Sequence, residues 1–135
     1  MNYTTIPTTC AYCGCGCEIL FEVLDGELVG TIPSKANPIN HGSLCIKGWT
    51  AHEFVVSEKR LKSPLIRKNG EFKEATWDEA LNLVSSTLKE IKETSGPDSL
   101  ACLSSAKCTN EENYLMQKVM RAVVGTNNVD HCARL

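Results

Sequence analysis

The chain has 135 residues, of which 42% are hydrophobic, enough to bury one modest core or two very small ones. Fourteen Lys and Arg against sixteen Asp and Glu give a net charge of −2 without a long basic run, which argues against a nucleic-acid-binding protein. No apolar stretch approaches the roughly 18 residues that span a bilayer, and residues 1–9 lack the features of a secretory signal, so we expect a cytoplasmic protein without a membrane span.

The first predicted element is a cysteine-rich loop near the start of the chain. Three cysteines stand there in a C-x2-C-x3-C run, and two glycines between them allow the backbone to curl tightly. An irregular loop over 31–48 contains a fourth cysteine and would bring it beside the first three. A 4Fe-4S cluster takes one thiolate at each iron, which suits this spacing. The predicted ligands are Cys10, Cys13, Cys17 and Cys45.

Two other interpretations of these cysteines compete. A structural zinc site also uses four cysteines, but zinc ribbons usually carry two knuckles, and the distal side here offers Cys45 with His41 nearby. Disulfides are less expected, because cytosolic thiols stay reduced. The cluster is therefore the leading hypothesis, and zinc is its main competitor.

Other residues near the predicted ligands receive separate interpretations. Cys15 is expected to be a small residue beside the cluster, and His41 and His52 to be solvated or locally hydrogen-bonded. Lys47 follows Cys45 by two residues, so a cation lies close to the thiolates. Lys47 would stabilise the charge of the cluster or contact a second anionic cofactor.

Two hairpins and a short helix are predicted between residues 18 and 72. Alternating apolar residues around Asp25-Gly26 predict the first hairpin, over 18–32. A short helix is expected over 49–57. Asn69-Gly70 then predicts a second hairpin over 65–72.

A long amphipathic helix is predicted next. Thr76 and Glu79 have the spacing of a capping box, and Gly96-Pro97 ends the helix. Apolar residues recur every three or four positions between these signals, which predicts a stripe that faces a core.

A strand and a second helix follow. The apolar run 99–103 predicts a buried parallel strand in which Cys102 serves as a small hydrophobe. A parallel strand needs neighbours, and we expect them to come from sequence that this chain lacks. A second capping box, at 109–112, begins a helix that runs to about residue 124, where Gly125 caps it.

These elements predict an α+β to α/β fold with two parts. A small, β-hairpin-rich iron–sulfur domain occupies residues 1–62, and the start of an open α/β domain, helix–strand–helix, occupies residues 63–135. The last residues form no turn, cap or polar tail, so we expect the chain to be cut short.

Several stretches resemble molybdopterin-dependent oxidoreductases of the formate dehydrogenase type. They cover the chain in order, at 10–17 (CAYCGCGC), 45–48 (CIKG), 77–81 (WDEAL), 109–114 (TNEENY) and 125–130 (GTNNVD). The resemblance implies an enzyme that oxidises formate to carbon dioxide, or runs the reverse. The reaction would occur at a molybdenum or tungsten ion held by two molybdopterin guanine dinucleotides.

The resemblance also implies roles for this chain within that enzyme. The four predicted cysteines would hold a 4Fe-4S relay, and Lys47 would lie between the cluster and the pterin. The implied partners are the remainder of the catalytic subunit and electron-transfer subunits with iron–sulfur or flavin cofactors. The chain alone lacks the catalytic metal ligand, so we expect it to be inactive by itself.

In this family a segment Asp-x-Cys-Ala-Arg precedes the cysteine or selenocysteine that ligates the catalytic metal. Leu135 stands in the last place before that residue, which favours a chain ended at a selenocysteine codon, with deliberate shortening as the competing explanation. Arg134 is a candidate near the metal. Lys107 stands where relatives often carry arginine, and lysine loses bidentate phosphate geometry.

Two alternative functions are compatible with the sequence. One is a standalone, small iron–sulfur electron-transfer protein, and the other is a different molybdopterin oxidoreductase such as a nitrate reductase. The segment 129–134 favours formate, although substrate choice is made around the metal.

Overall fold

The computed structural model describes residues 1–132 and divides the chain into two compact units. The first unit contains residues 1–60 and 105–113, and the second contains residues 61–104 and those from 114 onward. Both units combine helices with strands, so the predicted α+β to α/β class is confirmed. The predictions for Arg134 and Leu135 lie outside the described residues.

A three-stranded antiparallel sheet is the framework of the first unit. Strand β1 (Tyr3–Thr9) pairs with β2 (Glu18–Leu24), which pairs with β3 (Glu27–Pro33). The predicted hairpin is confirmed as β2 and β3, and Asp25 and Gly26 make its turn with φ angles of 50° and 91°. β1 has no counterpart among the predicted elements. It is an edge strand of the sheet. An edge strand tolerates a proline such as Pro7, since the missing N–H breaks no pairing on the open side.

Two short helices pack against this sheet. They are helix α1 (Ile46–Trp49) and helix α2 (Ala51–Val56). The sequence predicted one helix over 49–57, and this prediction was wrong about where the helical segment begins. Thr50 separates them, with φ −99° and ψ 14°. The buried core of the unit consists of Cys10, Ile19 and Ala51, so one predicted ligand is itself part of the core.

The second unit begins with a hairpin and a long helix. Strands β4 (Leu65–Lys68) and β5 (Glu71–Glu74) turn at Asn69-Gly70, whose φ angles are 55° and 86°, which confirms the second predicted hairpin. Helix α3 (Trp77–Ser95) follows. Gly96 ends the helix as predicted.

The predicted capping box at the start of α3 is confirmed. The Glu79 N–H donates to Thr76 Oγ1 at 3.2 Å, and the Thr76 N–H donates to Glu79 Oε2 at 2.8 Å. The Thr76 backbone N–H, followed by the Thr76 hydroxyl, holds the pKa of the Glu79 carboxyl below its ordinary value of 4.5. The ionised form is therefore the one that stabilises the helix start.

We expect Glu79→Gln to lower the thermal midpoint of the protein at neutral pH and to lose this effect in acid. Because the folded-state pKa is depressed, the carboxylate contributes stability above its ordinary pKa, and this contribution disappears as the pH falls through the lowered value. Thermal melts followed by circular dichroism across this pH range check the result. Glu93→Gln is the control, since its ion pair with Lys89 is exposed and contributes little. Parallel pH profiles for wild type and Glu79→Gln would contradict the prediction.

The apolar stripe of α3 is exposed rather than packed in a core. Leu81 is 58% exposed, Val84 55% and Leu88 37%, and no residue of α3 is buried. With Val119 and Val123 these side chains line an open apolar groove of about 500 Å³. The predicted orientation toward a core is therefore wrong for the described residues, because this face of α3 lines an open groove.

A pair of parallel strands packs beside the end of the last helix in the second unit. Strand β6 (Cys102–Ser104) pairs with β7 (Val129–His131), so the expectation that all partners of this strand lie outside the chain is wrong. The predicted strand begins later than expected because Pro97–Ser99 forms a 3-10 turn. Cys102 is buried against Met120 and Val124, as predicted for a small hydrophobe.

The second predicted helix is confirmed, with an unexpected final segment. Helix α4 (Asn110–Lys118) continues as a π-helix over Val119–Val124. Gly125, with a φ of 91°, caps the helix by donating to the Met120 carbonyl at 2.8 Å. Within residues 1–132, no helix has the length and apolar character needed to cross a membrane.

Candidate metal centre

The cysteine-rich loop is the connection between β1 and β2. The antiparallel register places Thr9 opposite Glu18, and the Cys10 N–H donates to the Cys17 carbonyl at 2.8 Å. The end of the sheet therefore holds the first and third predicted ligands side by side. Gly16 adopts a φ of 70°, a left-handed conformation that a residue with a Cβ rarely takes, and it closes the loop just before Cys17.

Asn40 fixes the arm that carries the fourth cysteine. The Glu18 N–H donates to Asn40 Oδ1 at 3.2 Å, and Asn40 Nδ2 donates to the carbonyls of Glu18 at 3.3 Å and Ser43 at 3.1 Å. The Asn40 side chain is buried. It therefore ties the loop that leads to Cys45 onto the residue that follows Cys17.

One cavity of the first unit brings the predicted site residues together. All four predicted ligands line it, with Lys47 and four other residues: Cys10, Tyr12, Cys13, Gly16, Cys17, Leu44, Cys45, Lys47 and Gly48. Cys10 is buried, Cys13 and Cys17 are half-buried, and Cys45 is exposed. Cys15 is exposed and is not among the described residues that line the cavity.

The thiols of this cavity interact electrostatically. Burial raises the pKa of the Cys17 thiol, and repulsion from the thiols of Cys15, Cys10, Cys13 and Cys45 raises it further. Thiolates placed this close repel one another, and bound iron would offset that repulsion.

The surroundings of the Cys45 thiol favour its deprotonation. The backbone N–H groups of Gly48 and Lys47 lower the pKa of its thiol, and the Lys47 ammonium contributes a smaller effect in the same direction. These groups belong to α1, which begins directly after Cys45. The start of this helix therefore stabilises a thiolate at the position where a metal ligand is predicted.

The donor set of this cavity consists of four thiols. Within the described part of the chain, no three His, Cys, Asp or Glu side chains are grouped so that they could hold one metal ion. A 4Fe-4S cluster has several irons, each of which takes one thiolate, so four thiols around a shared cavity fit its donor requirement.

The other predicted site residues lie apart from the cavity lining. His52 is hydrogen-bonded, with Nδ1 at 3.1 Å from Oγ1 of the buried Thr31, which lies 21 positions earlier in the chain. His41 occupies a turn with a φ of 45° and donates its N–H to the Asn37 carbonyl at 3.1 Å. Lys107 lies in a turn, and its backbone N–H donates to Ser105 Oγ at 3.0 Å.

Sequence reasoning missed the hydrogen bonds that Asn40 and Asn110 make to the cysteine-rich segment. Asn40 is interpreted from sequence only as part of an irregular loop, and Asn110 only as part of a family-like segment. Each forms hydrogen bonds to a distant part of the chain, with Glu18 and Gly14 respectively. No local pattern identifies such partners, because both contacts depend on the folded arrangement.

Two family descriptions match the chain. Residues 3–57 match the molybdopterin oxidoreductase Fe4S4 domain, and residues 60–135 match molybdopterin oxidoreductase. Together they cover the cysteine-rich segment and the helix–strand–helix segment. The predicted resemblance is therefore confirmed at the level of the family.

Individual relatives agree with these matches. The chain is 55% identical over 135 residues to the F420-dependent formate dehydrogenase 1 subunit alpha of Methanococcus maripaludis, covering 100% of this chain and 19% of that protein. It is 53% identical over 134 residues to the formate dehydrogenase 2 subunit alpha of the same organism, covering 99% and 19%. The chain thus spans about a fifth of the length of these relatives.

A solved structure supports the fold. Acetylene hydratase from Pelobacter acetylenicus superposes with a TM-score of 0.66 at 26% identity, covering 93% of this chain and 18% of that one. The fold of this chain is therefore similar to a part of that enzyme.

Proposed function

Because this chain belongs to the molybdopterin oxidoreductase family, we propose that it forms the electron-relay part of a formate dehydrogenase catalytic subunit. The relatives named above are formate dehydrogenase alpha subunits, and their identity of 53–55% extends over nearly the whole chain. The reaction proposed for the complete protein is the reversible oxidation of formate to carbon dioxide.

The observation that carries this proposal is the cavity shared by the four cysteines. Cys10, Cys13, Cys17 and Cys45 are the proposed ligands of a 4Fe-4S cluster, which when bound supplies a one-electron redox centre. The chain contributes rigidity on both sides of this cavity. The Cys10–Cys17 backbone bond fixes one arm, and the Asn40 side chain fixes the other.

Lys47 is the proposed link between the cluster and the pterin. It lines the same cavity as the thiols, and its ammonium lowers the pKa of the Cys45 thiol. A cation at this position offsets the negative charge of a thiolate-ligated cluster and favours its reduced form. Its side chain is long enough to contact an anionic cofactor at the same time.

The remaining features of the complete protein are proposed from the family and the relatives. We propose a molybdenum or tungsten centre with two molybdopterin guanine dinucleotides, and electron-transfer subunits with iron–sulfur or flavin cofactors. We propose a cytoplasmic location and a domain boundary near residue 62, with the cluster domain before it. The designation alpha in the relatives' names is consistent with further subunits.

The two alternative functions differ from this proposal in how the cluster exchanges electrons. A standalone iron–sulfur protein would carry a reversible cluster that formate alone does not reduce. A nitrate reductase would pass electrons from a reduced cluster to nitrate. Formate dehydrogenase is favoured here because both relatives in Methanococcus carry that name.

The test is to add substrates to the protein purified anaerobically from its source and follow the cluster by electron paramagnetic resonance. We expect formate to produce the signal of the reduced cluster. Nitrate is expected to leave a dithionite-reduced sample unchanged. Reoxidation by nitrate would favour the nitrate reductase, and a cluster indifferent to both compounds would favour the standalone protein.

A further inference from the structure

Asn110 connects a late segment of the chain to the cysteine-rich loop. Its Nδ2 donates to the carbonyl oxygen of Gly14 at 2.9 Å, although 96 positions separate the two residues in sequence. Gly14 directly follows Cys13, a proposed cluster ligand. Both residues belong to the first compact unit, since residues 105–113 are grouped with residues 1–60.

The backbone that carries Asn110 is held in place at the start of α4. The Thr109 N–H donates to Glu112 Oε2 at 2.7 Å, and the Glu112 N–H donates to Thr109 Oγ1 at 3.3 Å, which confirms the predicted capping box. The Asn113 N–H adds a bond to the Thr109 carbonyl at 3.2 Å. Asn110 therefore extends its amide from a fixed point.

Gly14 is shaped to receive this amide. A Cβ at Gly14 would collide with the side-chain oxygen of Asn110. Gly14 is not among the glycines with positive φ, so its backbone does not itself demand glycine. The close approach of Asn110 is the feature that requires a residue without a side chain here.

The bond controls the orientation of a peptide next to a proposed ligand. The peptide unit is planar, so holding the Gly14 carbonyl also fixes the direction of the Cys15 N–H on its opposite side. The Gly14–Cys15 peptide lies one residue beyond Cys13, so holding it limits the orientations that the Cys13–Gly14 backbone can adopt. A restricted backbone presents the Cys13 thiol from a defined direction.

We propose that Asn110 is a positioning residue for the cluster, which acts by holding the Gly14 carbonyl and thereby the Cys13 thiol. This inference rests on the proposed ligand set. It assigns a function to the segment 109–114, which resembles the family in sequence but contributes no proposed ligand.

The test compares Asn110→Asp with wild type in the full protein, purified anaerobically with its iron. Aspartate has the same shape but cannot donate to Gly14, and an acidic residue remains favourable in the first turn of α4. We expect an iron chelator to remove the cluster about three-fold faster, the effect of losing one solvent-accessible hydrogen bond. The resonance spectrum of the reduced cluster is expected to shift as well.

Asn128→Asp is the matched control. Asn128 Nδ2 also donates to backbone carbonyls, those of Asp98 at 3.0 Å and Leu100 at 3.2 Å, but it does so in the second unit. This variant is expected to lower thermal stability without changing the rate of cluster loss or the spectrum. A purely structural role for Asn110 would make the two variants behave alike.

Gly14→Ala and Asn110→Ala form an independent pair of variants, of which the first keeps the Asn110 side-chain amide. The methyl group of Gly14→Ala displaces the Asn110 side chain, so this variant should accelerate cluster loss to the same extent as Asn110→Ala. The double variant should be no worse than either single variant, because both remove one interaction. If Asn110→Asp does not fold, this pair of variants still decides the question.

The outcomes separate this inference from the proposed function. A wild-type protein without a cluster would refute the ligand set and this inference together. If the wild-type protein holds a cluster, and Asn110→Asp loses its cluster at the wild-type rate with an unchanged spectrum, only the role of Asn110 would be refuted. Additive effects of Gly14→Ala and Asn110→Ala would also refute it, since the two residues would then act separately.

Discussion

Cys13→Ser is expected to abolish incorporation of the cluster, whereas Cys15→Ser should leave it largely intact. Cys13 lines the cavity with the other three proposed ligands, and Cys15 does not. A serine hydroxyl is a poor substitute for thiolate at iron, because it is not ionised near neutral pH and is a harder donor. Iron and sulfide content after anaerobic reconstitution, with the visible absorbance of the cluster, measures the result.

The two variants form a matched pair because they make the same chemical change two residues apart. Cys13 is half-buried and Cys15 is exposed, so neither substitution removes a core residue, and circular dichroism should show a folded chain for both. Work without oxygen is essential, since exposed thiolates are readily oxidised to disulfides. Equal loss of iron from both variants would overturn the ligand assignment and make Cys15 a ligand candidate.

Elements with local signals are predicted correctly from the sequence. Asp25-Gly26 and Asn69-Gly70 each provide the positive φ angles of a tight hairpin turn, and both hairpins are present. Thr76 and Glu79 cap a helix through contacts within three residues. In each case the interaction that fixes the structure lies inside the window that a sequence pattern covers.

Features that depend on distant residues are predicted poorly. β1 carries no alternating apolar pattern and becomes a strand because β2 lies beside it. The pairing of β6 with β7 joins residues near 103 to residues near 130, and no local signal at either strand specifies the other. The apolar stripe of α3 shows how a correct periodicity still leaves the degree of burial undetermined, because burial depends on what packs against the helix.

The candidate site divides in the same way. The spacing of the cysteines identifies all four thiols that line the cavity, since ligand chemistry restricts which spacings occur. The residues that fasten the loops of the site to other parts of the chain escape detection. Asn40 and Asn110 act through side-chain bonds to distant backbone groups, which composition and periodicity do not encode.

Asn40→Ala is expected to destabilise the protein by about 1–3 kcal/mol and to reduce the amount of iron that it binds. The substitution removes three hydrogen bonds, leaving the Glu18 N–H without its acceptor and the Ser43 carbonyl without its donor. The Glu18 carbonyl retains a bond from the Ser34 N–H at 3.2 Å. Denaturant unfolding measures the stability, and iron analysis after limited reconstitution measures the binding.

Asn37→Ala separates this effect from a general weakening of the loop. Asn37 Oδ1 accepts from the N–H groups of Ile39 at 2.9 Å and Asn40 at 3.2 Å, so its bonds are local and its loss leaves the bridge to Glu18 in place. We expect Asn37→Ala to lower stability modestly while iron binding stays near the wild-type level. The reason is geometric: the Cys45 arm and the Cys17 arm both carry proposed ligands, and Asn40 connects the two arms. Iron binding that fell equally in both variants would mean that the loop's internal order, rather than its attachment to Glu18, prepares the site.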